Sequence, residues 1–258
     1  TKLYNLFKQM NESKDRKLFE NLYLVDSPRF IIEWGQITIP FSQIVMVCSI
    51  LKYFPNSMYL SLHSETDYRV IPNNEIMKYL KLNYPTNFIA LTPKLKLNLK
   101  KKRLKEFNLF VNNSKILTSI MKRIYPNRFI PNFNWSFGSN WVTLTVKDSK
   151  KIIEKILNDF SIIEYFEYSA VPDEVIFQTV ASTINISFKK TNLRYINWKL
   201  KGCHPKTLNE NDFNDIVNNS CNLWARKFKN NESLELLDKI DNYVKNVEKN
   251  GHFKSCSI

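Results

Sequence analysis

The sequence predicts an α/β fold in a single domain spanning residues 1–258, with a mixed sheet flanked by helices. Three observations support this prediction. Segments with the apolar spacing of strands alternate with segments spaced like helices, a pattern typical of sheets with a parallel part. Hydrophobic residues make up 43% of the 258 residues, enough for a large buried core. The chain has only 4 Gly and 10 Pro, which argues against long flexible linkers.

Apolar periodicity defines the elements of the first half of the chain. Apolar residues recur at helical spacing between Pro40 and Phe54, and the pattern stops at Pro55. The strand-like run Met58–Leu62 ends at a polar cluster, His63–Asp67, and ligands of α/β sheets bind beyond such strand ends. The remaining predictions here are an amphipathic helix followed by a short connection over Leu3–Leu22, strands over Leu22–Val25 and Phe30–Trp34, and a helix over Asn74–Leu80.

The second half continues this alternation. Trp141–Val146 alternates as a strand does, and Ser149–Phe160 has apolar residues at helical spacing. Pro172 and Asp173 have the composition of a helix start, just before the short apolar run Glu174–Val180. The remaining predictions are a helix over Ile116–Ile124, a strand over Leu193–Trp198, and helices over Asn209–Val217 and Glu232–Val247.

The formal net charge of +14 predicts a basic surface that attracts polyanions. The densest basic run lies between Pro93 and Lys105, in a predicted loop or exposed helix face. Nucleic acid, anionic lipid, phosphorylated glycans and nucleotide-sugars all fit such a charge, so charge alone does not choose among them. The sequence contains no zinc-finger or RNP-type motif and no apolar run long enough to span a bilayer.

The four cysteines are expected to be ordinary thiols. Cys48, Cys203, Cys221 and Cys256 lack C-x-x-C spacing, and so few cysteines in a chain of this length do not suggest a disulfide framework. Neither they nor the three histidines have the spacing of a zinc site.

Six short patterns follow one another along the chain, and their order is more specific than any one of them. They are Trp34-Gly35, Tyr59-Leu60-Ser61-Leu62-His63-Ser64-Glu65-Thr66-Asp67-Tyr68, Gly138-Ser139-Asn140-Trp141-Val142-Thr143-Leu144-Thr145, Val171-Pro172-Asp173-Glu174-Val175-Ile176-Phe177-Gln178-Thr179, Asn192-Leu193-Arg194-Tyr195-Ile196-Asn197-Trp198 and Ala225-Arg226-Lys227-Phe228.

This ordered set resembles the core-2/I-branching β-1,6-N-acetylglucosaminyltransferase family, glycosyltransferase family 14, which also includes peptide O-xylosyltransferases and bacterial members. That family has a W-G element before a long helix, then S-G-x-D-[YF]-P, G-S-x-W-x-x-L-[ST], P-D-E-x-x-[FW]-x-T, L-R-Y-x-x-W with H-P-x-x-L, and A-R-K-F. The resemblance runs from Phe30 to Asp241. In one departure, Ser64-Glu65-Thr66-Asp67-Tyr68-Arg69 lacks the Gly and Pro of the second motif.

The resemblance implies a GT-A-like fold and an inverting reaction. A sugar would move from a UDP-sugar to a hydroxyl of a carbohydrate acceptor, with N-acetylglucosamine as the favoured sugar and xylose second. Family members begin with a strand-helix-strand unit that has no counterpart before Thr1. The domain is therefore expected to be truncated at its N-terminus.

Glu174 is the expected catalytic base. Inverting transfer needs a base within hydrogen-bond reach of the acceptor hydroxyl, and the resemblance gives Glu174 this role. The alternative is that Asp173 and Glu174 only favour a helix N-terminus electrostatically.

The resemblance assigns Arg194 and Lys227 to the UDP diphosphate, with no divalent metal and no other cofactor. A departing diphosphate needs positive charge, which Arg supplies as a bidentate donor and Lys as a point charge. Arg226 competes for the role of Lys227, and the alternative for both assigned residues is an ordinary surface or strand-end charge. The sequence has no Asp-x-Asp motif, and Glu65 with Asp67 is the nearest substitute for a metal-binding pair.

Three further residues are weaker candidates for substrate binding. Asp67 is expected near a sugar, or else to form a turn. Arg103 is expected to reach toward the acceptor, or else to belong to a solvated charge run. Trp198 is a candidate for stacking on a sugar face, whereas Trp141 is expected in the core.

The expected partners are a UDP-sugar donor and a glycan or lipid-linked glycan acceptor, with peripheral contact to an anionic membrane and no nucleic acid. The expected location is cytoplasmic, at the inner membrane surface, or the Golgi lumen if the source is eukaryotic. Two other function classes stay open: a basic nucleic-acid-binding protein, and a glycan-binding relative without catalytic activity.

Overall fold

Two sheets, of four and three strands, form the framework of the computed structural model. Helices pack on them, and a short two-stranded hairpin precedes them. The structure describes residues 16–19, 22–25, 28–92, 115–124, 133–198, 204–218 and 221–250.

Strands and helices alternate along most of the described chain. The strands are β1 (Arg16–Phe19), β2 (Leu22–Leu24), β3 (Tyr59–Ser61), β4 (Tyr68–Arg69), β5 (Asn87–Leu91), β6 (Gly138–Thr145), β7 (Phe188–Lys189), β8 (Arg194–Ile196) and β9 (Trp224–Arg226). The helices are α1 (Thr38–Tyr53), α2 (Asn73–Asn83), α3 (Lys115–Ile124), α4 (Val146–Asn158), α5 (Phe160–Glu167), α6 (Ile176–Thr183), α7 (Phe213–Val217) and α8 (Asn230–Asn250), with 3-10 turns at Pro172–Glu174 and Glu210–Asp212.

Both main sheets mix parallel and antiparallel pairs. The four-stranded sheet has the order β3-β6-β5-β7, in which β6 is antiparallel to both neighbours and β5 is parallel to β7. In the three-stranded sheet β4-β9-β8, β9 is antiparallel to β4 and parallel to β8. The predicted mixed sheet flanked by helices is therefore confirmed.

Strand β5 separates two hydrophobic cores. Phe88 and Ile89 are both fully buried, and successive side chains of a strand point to opposite faces. Ile89 packs in a cluster with residues of α1, α4 and α6. Phe88 packs in a second cluster with residues of α2 and α8, which include Tyr79 and Leu236. Strand β5 is therefore covered by helices on both faces, as is usual for an interior strand of an α/β sheet.

The junction between β6 and α4 is fixed by local hydrogen bonds. The Thr145 hydroxyl accepts the N–H of Asp148 at 3.1 Å and so caps α4. The Asn87 side chain joins both segments, since it accepts the N–H of Thr145 at 2.8 Å and donates to the Asp148 carboxylate at 2.8 Å. The helix therefore starts immediately where the strand ends.

Most predicted elements are confirmed with shifts of a few residues, and the exceptions have physical reasons. The predicted helix over Leu3–Leu22 is wrong where Arg16–Phe19 pairs as a strand, and the residues before it lie outside the described ranges. Phe30–Trp34 is not a strand, because Phe30 alone turns toward the core while its successors stay exposed. The sequence did not predict β4, β5, β7, β9 or α5. Strands β4, β7 and β9 have only two or three residues each, too few to show an alternation.

The expectation of four free thiols is wrong for Cys221, which is disulfide-bonded. Cys48 is free, and burial raises the pKa of its thiol to about 12. Cys203 and Cys256 lie outside the described residues.

Gly138, at the start of β6, is expected to tolerate no side chain. A Cβ atom there would lie 2.0 Å from the carbonyl oxygen of Ala90 on the paired strand. We expect Gly138→Ala to lower the free energy of unfolding by about 1–3 kcal/mol, the usual cost of overpacking, in chemical denaturation. Glu235→Ala, at an exposed position of α8, is the control and should change it by less than about 0.5 kcal/mol. Equal stability of the two variants would contradict the close approach of β5 and β6.

Candidate active site

A cavity of about 790 Å³ opens where β6 begins. It lies between the 3-10 turn at Pro172–Glu174 on one side and the segment after β9 on the other. Three of the predicted site residues line it, namely Glu174, Lys227 and Trp198. The structure thus brings together side chains that are far apart in the sequence.

The start of β6 joins the two sides of the cavity because its side chains alternate between faces. Asn140 points toward the 3-10 turn, where its amide donates to the Asp173 carboxylate at 3.1 Å. Trp141, the next residue, points the other way, and the guanidinium carbon of Arg226 lies 3.4 Å from the centre of its ring. Trp141 was expected in the core, but it is half-buried and lines the cavity.

Backbone geometry places Glu174 at the cavity. Val171, just before the 3-10 turn, has a φ of 55°, a left-handed conformation that is uncommon for a β-branched residue. Its N–H donates to the carbonyl of Gly35 at 3.0 Å, and Gly35 also has a positive φ, of 77°. The 3-10 turn then carries Asp173 into a buried position and leaves Glu174 half-buried on the cavity wall.

The last strand of the smaller sheet places the cations. Arg226 ends β9, and Lys227 follows it; both line the cavity. The main chain of Lys227 is fixed, since its carbonyl accepts the N–H of Leu208 at 2.8 Å. The Nε atom of Arg226 is buried and has no hydrogen-bond partner among the described residues.

A buried carboxylate, Asp67, holds two guanidinium groups behind this wall. Its Oδ2 lies 3.2 Å from Nε of Arg194, and its Oδ1 lies 3.0 Å from an Nη of Arg226. The Asp67 side chain is only 2% exposed, and it also accepts the hydroxyl of Ser64 at 3.2 Å. Nδ1 of His63 is 3.4 Å from Oδ2. Asp67 therefore contacts protein groups on every side and does not line the cavity.

Arg194 is fully buried, and its side chain lies outside the cavity wall. Besides Asp67, its guanidinium donates to the carbonyls of Asn192 at 2.7 Å and Leu62 at 2.5 Å. Asn192 in turn lines the cavity, so Arg194 supports the wall from behind. Arg194 was expected to contact the diphosphate and Asp67 to contact a sugar. In this arrangement both side chains are buried and neither lines the cavity, so neither is placed to touch a ligand there.

The charges of this cluster perturb its protonation. Burial by itself raises the pKa of Asp67, but the hydrogen bond with His63 and the charges of Arg194 and Arg226 outweigh burial and hold the pKa below its ordinary value of 3.8. Burial lowers the pKa of Arg194 to about 10, against the opposing effect of Asp67. At neutral pH the cluster therefore consists of one carboxylate and two charged guanidinium groups.

The predicted site residues and the residues that line the cavity overlap only in part. Arg103 lies outside the described residues. Trp34, Asn140, Asn192 and His204 line the cavity but were not singled out as site residues, although the ordered motifs contain or adjoin them. Trp198 lines the cavity with 55% of its surface exposed.

No group of three or more His, Cys, Asp or Glu side chains in the described ranges is placed to hold a metal ion. Asp67, half of the carboxylate pair considered for a metal, is already paired with two guanidinium groups. No helix in those ranges combines the length and apolarity needed to cross a bilayer.

Fold and site together define a class of protein: a mixed α/β enzyme whose cavity combines a carboxylate, basic side chains and indole rings, groups that suit sugars and phosphates. The family model of the core-2/I-branching enzyme matches residues 7–220, most of the chain. The chain therefore belongs to the core-2/I-branching enzyme family, whose members are glycosyltransferases. This confirms the resemblance and the GT-A-like fold expected from it. A search among curated proteins gave no match.

Replacing Asp67 tests the buried cluster. Asp67→Asn leaves two buried cations without their counter-charge, so we expect the free energy of unfolding at pH 7 to fall by about 3–5 kcal/mol. Because the folded-state pKa is lowered, the stabilisation from Asp67 is present above pH 4 and is lost as the pH falls through the folded-state value. The stability difference between wild type and variant should therefore shrink in acid, as measured by denaturation from pH 7 to pH 3. Asp238→Asn, at an exposed position, is the control; a constant difference across the pH range would contradict the assignment.

Proposed function

We propose that this chain is an inverting glycosyltransferase that moves a sugar from a UDP-sugar to a hydroxyl of a carbohydrate acceptor without a metal ion. The observation that supports it most is the presence of Glu174 and Lys227 on the walls of one cavity. A base and a cation on one cavity match the two needs of the reaction, proton removal from the acceptor and stabilisation of the leaving diphosphate.

Glu174 is the proposed catalytic base. Its carboxylate takes the proton of the acceptor hydroxyl while the acceptor oxygen forms a bond to the anomeric carbon of the donor. The bond between that carbon and the diphosphate oxygen breaks, and its electron pair leaves with UDP. Asp173, the adjacent carboxylate, fits this role less well, because it is buried whereas Glu174 is half-buried.

Lys227 and Arg226 are the proposed diphosphate ligands. Both line the cavity, and a guanidinium and an ammonium group are the side chains that suit the oxygens of a diphosphate. Arg194 is proposed to act at a distance: its charge stays in place behind Asn192 and adds to the positive potential without touching the ligand. Trp198 is proposed to stack on a sugar ring.

N-acetylglucosamine is the proposed donor sugar, with xylose second. This choice follows from the motifs shared with the family rather than from the cavity itself. A panel of UDP-sugars in a transfer assay would decide it.

An oxidising compartment, such as the Golgi lumen, is the proposed location. The disulfide at Cys221 favours it over the cytoplasm, where thiols are kept reduced. Contact with an anionic membrane stays a prediction from the charge of +14.

Replacing Glu174 tests the base. We expect Glu174→Gln to lower kcat for transfer by about 10²–10⁴, the usual contribution of a general base, and to leave the Kd for UDP within about twofold. The measurement is transfer from UDP-N-acetylglucosamine in the presence of EDTA, with UDP binding followed by calorimetry. Glu235→Gln, at an exposed position of α8, is the control and should keep wild-type kcat.

Three outcomes would count against this mechanism. Full activity of Glu174→Gln would exclude the base role. Loss of wild-type activity in EDTA would contradict the metal-free reaction. Binding of glycans by a chain that transfers from no UDP-sugar would favour the non-catalytic relative.

Replacing Lys227 tests the diphosphate contact. Because a hydrogen bond to a charged group contributes about 1.5–3 kcal/mol, we expect Lys227→Ala to weaken UDP binding by about 10- to 100-fold. Uridine, which has no phosphate, should bind both proteins equally in the same calorimetric titration. Lys229→Ala is the matched control, since Lys229 is exposed, pairs with Glu232 at 3.0 Å and does not line the cavity. Equal weakening of UDP and uridine binding would place Lys227 elsewhere than at the diphosphate.

A further inference from the structure

Three large apolar side chains in the loop before α1 stand open to solvent beside the cavity. Ile31 is 86% exposed, Ile32 is 52% exposed and Trp34 is 65% exposed. Single exposed apolar residues are ordinary on protein surfaces, but contiguous ones mark binding sites. These three residues are called the apolar lip below.

The apolar lip is anchored on both sides. Before it, Phe30 packs against the first core, with its ring centre 6.0 Å from that of Phe41. After it, the carbonyl of Gly35 accepts the N–H of Val171 at 3.0 Å, close to the turn that carries Glu174. Because both sides are fixed, the two isoleucines are held at the surface by the fold rather than exposed by a frayed chain end.

The apolar lip borders the cavity of the active site. Trp34 both belongs to the lip and lines the cavity, and its ring meets the ring of His204, another lining residue, edge-on at 6.0 Å. Trp198 is also exposed and lines the same cavity. Trp34 and Glu174 therefore line one cavity, which brings the apolar lip next to the site proposed for the acceptor hydroxyl.

We propose that the apolar lip binds a hydrocarbon chain carried by the acceptor, so that the acceptor is a glycolipid or lipid-linked glycan rather than a free saccharide. The proposal rests on the proposed function, because it takes the cavity to hold the acceptor sugar. Indole rings alone would suit a second sugar unit equally well. The isoleucines decide the question, because an aliphatic side chain offers a sugar neither a ring face nor a hydrogen bond, whereas a hydrocarbon chain gains by leaving water against it.

The test compares methyl, butyl and octyl β-D-galactopyranoside as probes of the whole chain, by tryptophan fluorescence below the micelle concentration. In wild type we expect the Kd to fall about two- to fourfold for each added methylene that the lip covers. In the double variant Ile31→Ser/Ile32→Ser the octyl and methyl glycosides should bind within about threefold of each other, with the methyl glycoside unaffected. Leu82→Ser/Leu234→Ser is the matched control, since these leucines are 74% and 59% exposed away from the cavity, and it should keep the chain-length dependence.

Three results would overturn the proposal. The first is a Kd in wild type that does not depend on chain length, including no binding of the octyl glycoside, and the second is an unchanged dependence in the Ile31→Ser/Ile32→Ser variant. The third is tighter binding of methyl β-lactoside than of octyl β-galactoside, which would assign the lip to a second sugar. UDP titrated in parallel separates this failure from failure of the proposed function. If the protein binds UDP but its affinity for the glycosides does not depend on the alkyl chain, only the proposed role of the lip is refuted. If the protein binds no UDP, the proposed transferase function is refuted.

Discussion

One buried carboxylate, Asp67, holds the two guanidinium groups on the basic side of the cavity. It follows β3 in the chain and pairs with Arg194 on β8 and Arg226 on β9, so it joins the edge of the larger sheet to two strands of the smaller one. Burying a carboxylate costs free energy of desolvation, and the ion pairs with the two guanidinium groups offset it only when the groups keep this geometry. The ion cluster therefore specifies one arrangement of the two sheets.

The cluster also sets the charge available to a ligand. One carboxylate between two guanidinium groups leaves a net positive charge, and part of it reaches the cavity through Arg226, whose plane covers Trp141 at 3.4 Å. Lys227 follows directly in the chain, so the position of β9 decides where both cations stand. On the opposite wall, Glu174 depends on different constraints, the left-handed Val171 and its hydrogen bond with Gly35. The strand β6 joins the two walls because Asn140 and Trp141 point to opposite faces.

Periodicity was enough to predict the mixed α/β fold and most of the helices, and the family resemblance singled out Glu174 and Lys227, which line one cavity together with the weaker candidate Trp198. The burial of Arg194 and Asp67 could not be predicted from periodicity or motifs. The sequences S-E-T-D and L-R-Y are the same whether their charged side chains face a ligand or each other. Long-range pairing decides this, and one sequence does not reveal it. Val171 was equally hidden, since a β-branched residue gives no local signal of a left-handed conformation. The short strands β7 and β9 escaped prediction because two or three residues carry too little periodicity.

The stereochemistry of transfer tests the central claim most directly. Proton NMR of the first product formed from an α-linked UDP-sugar reports the configuration of its new glycosidic bond. A one-step displacement with Glu174 as base predicts a β-linked product from the earliest time points. An α-linked product would contradict the account, because retention requires either a covalent intermediate or attack from the face of the leaving group.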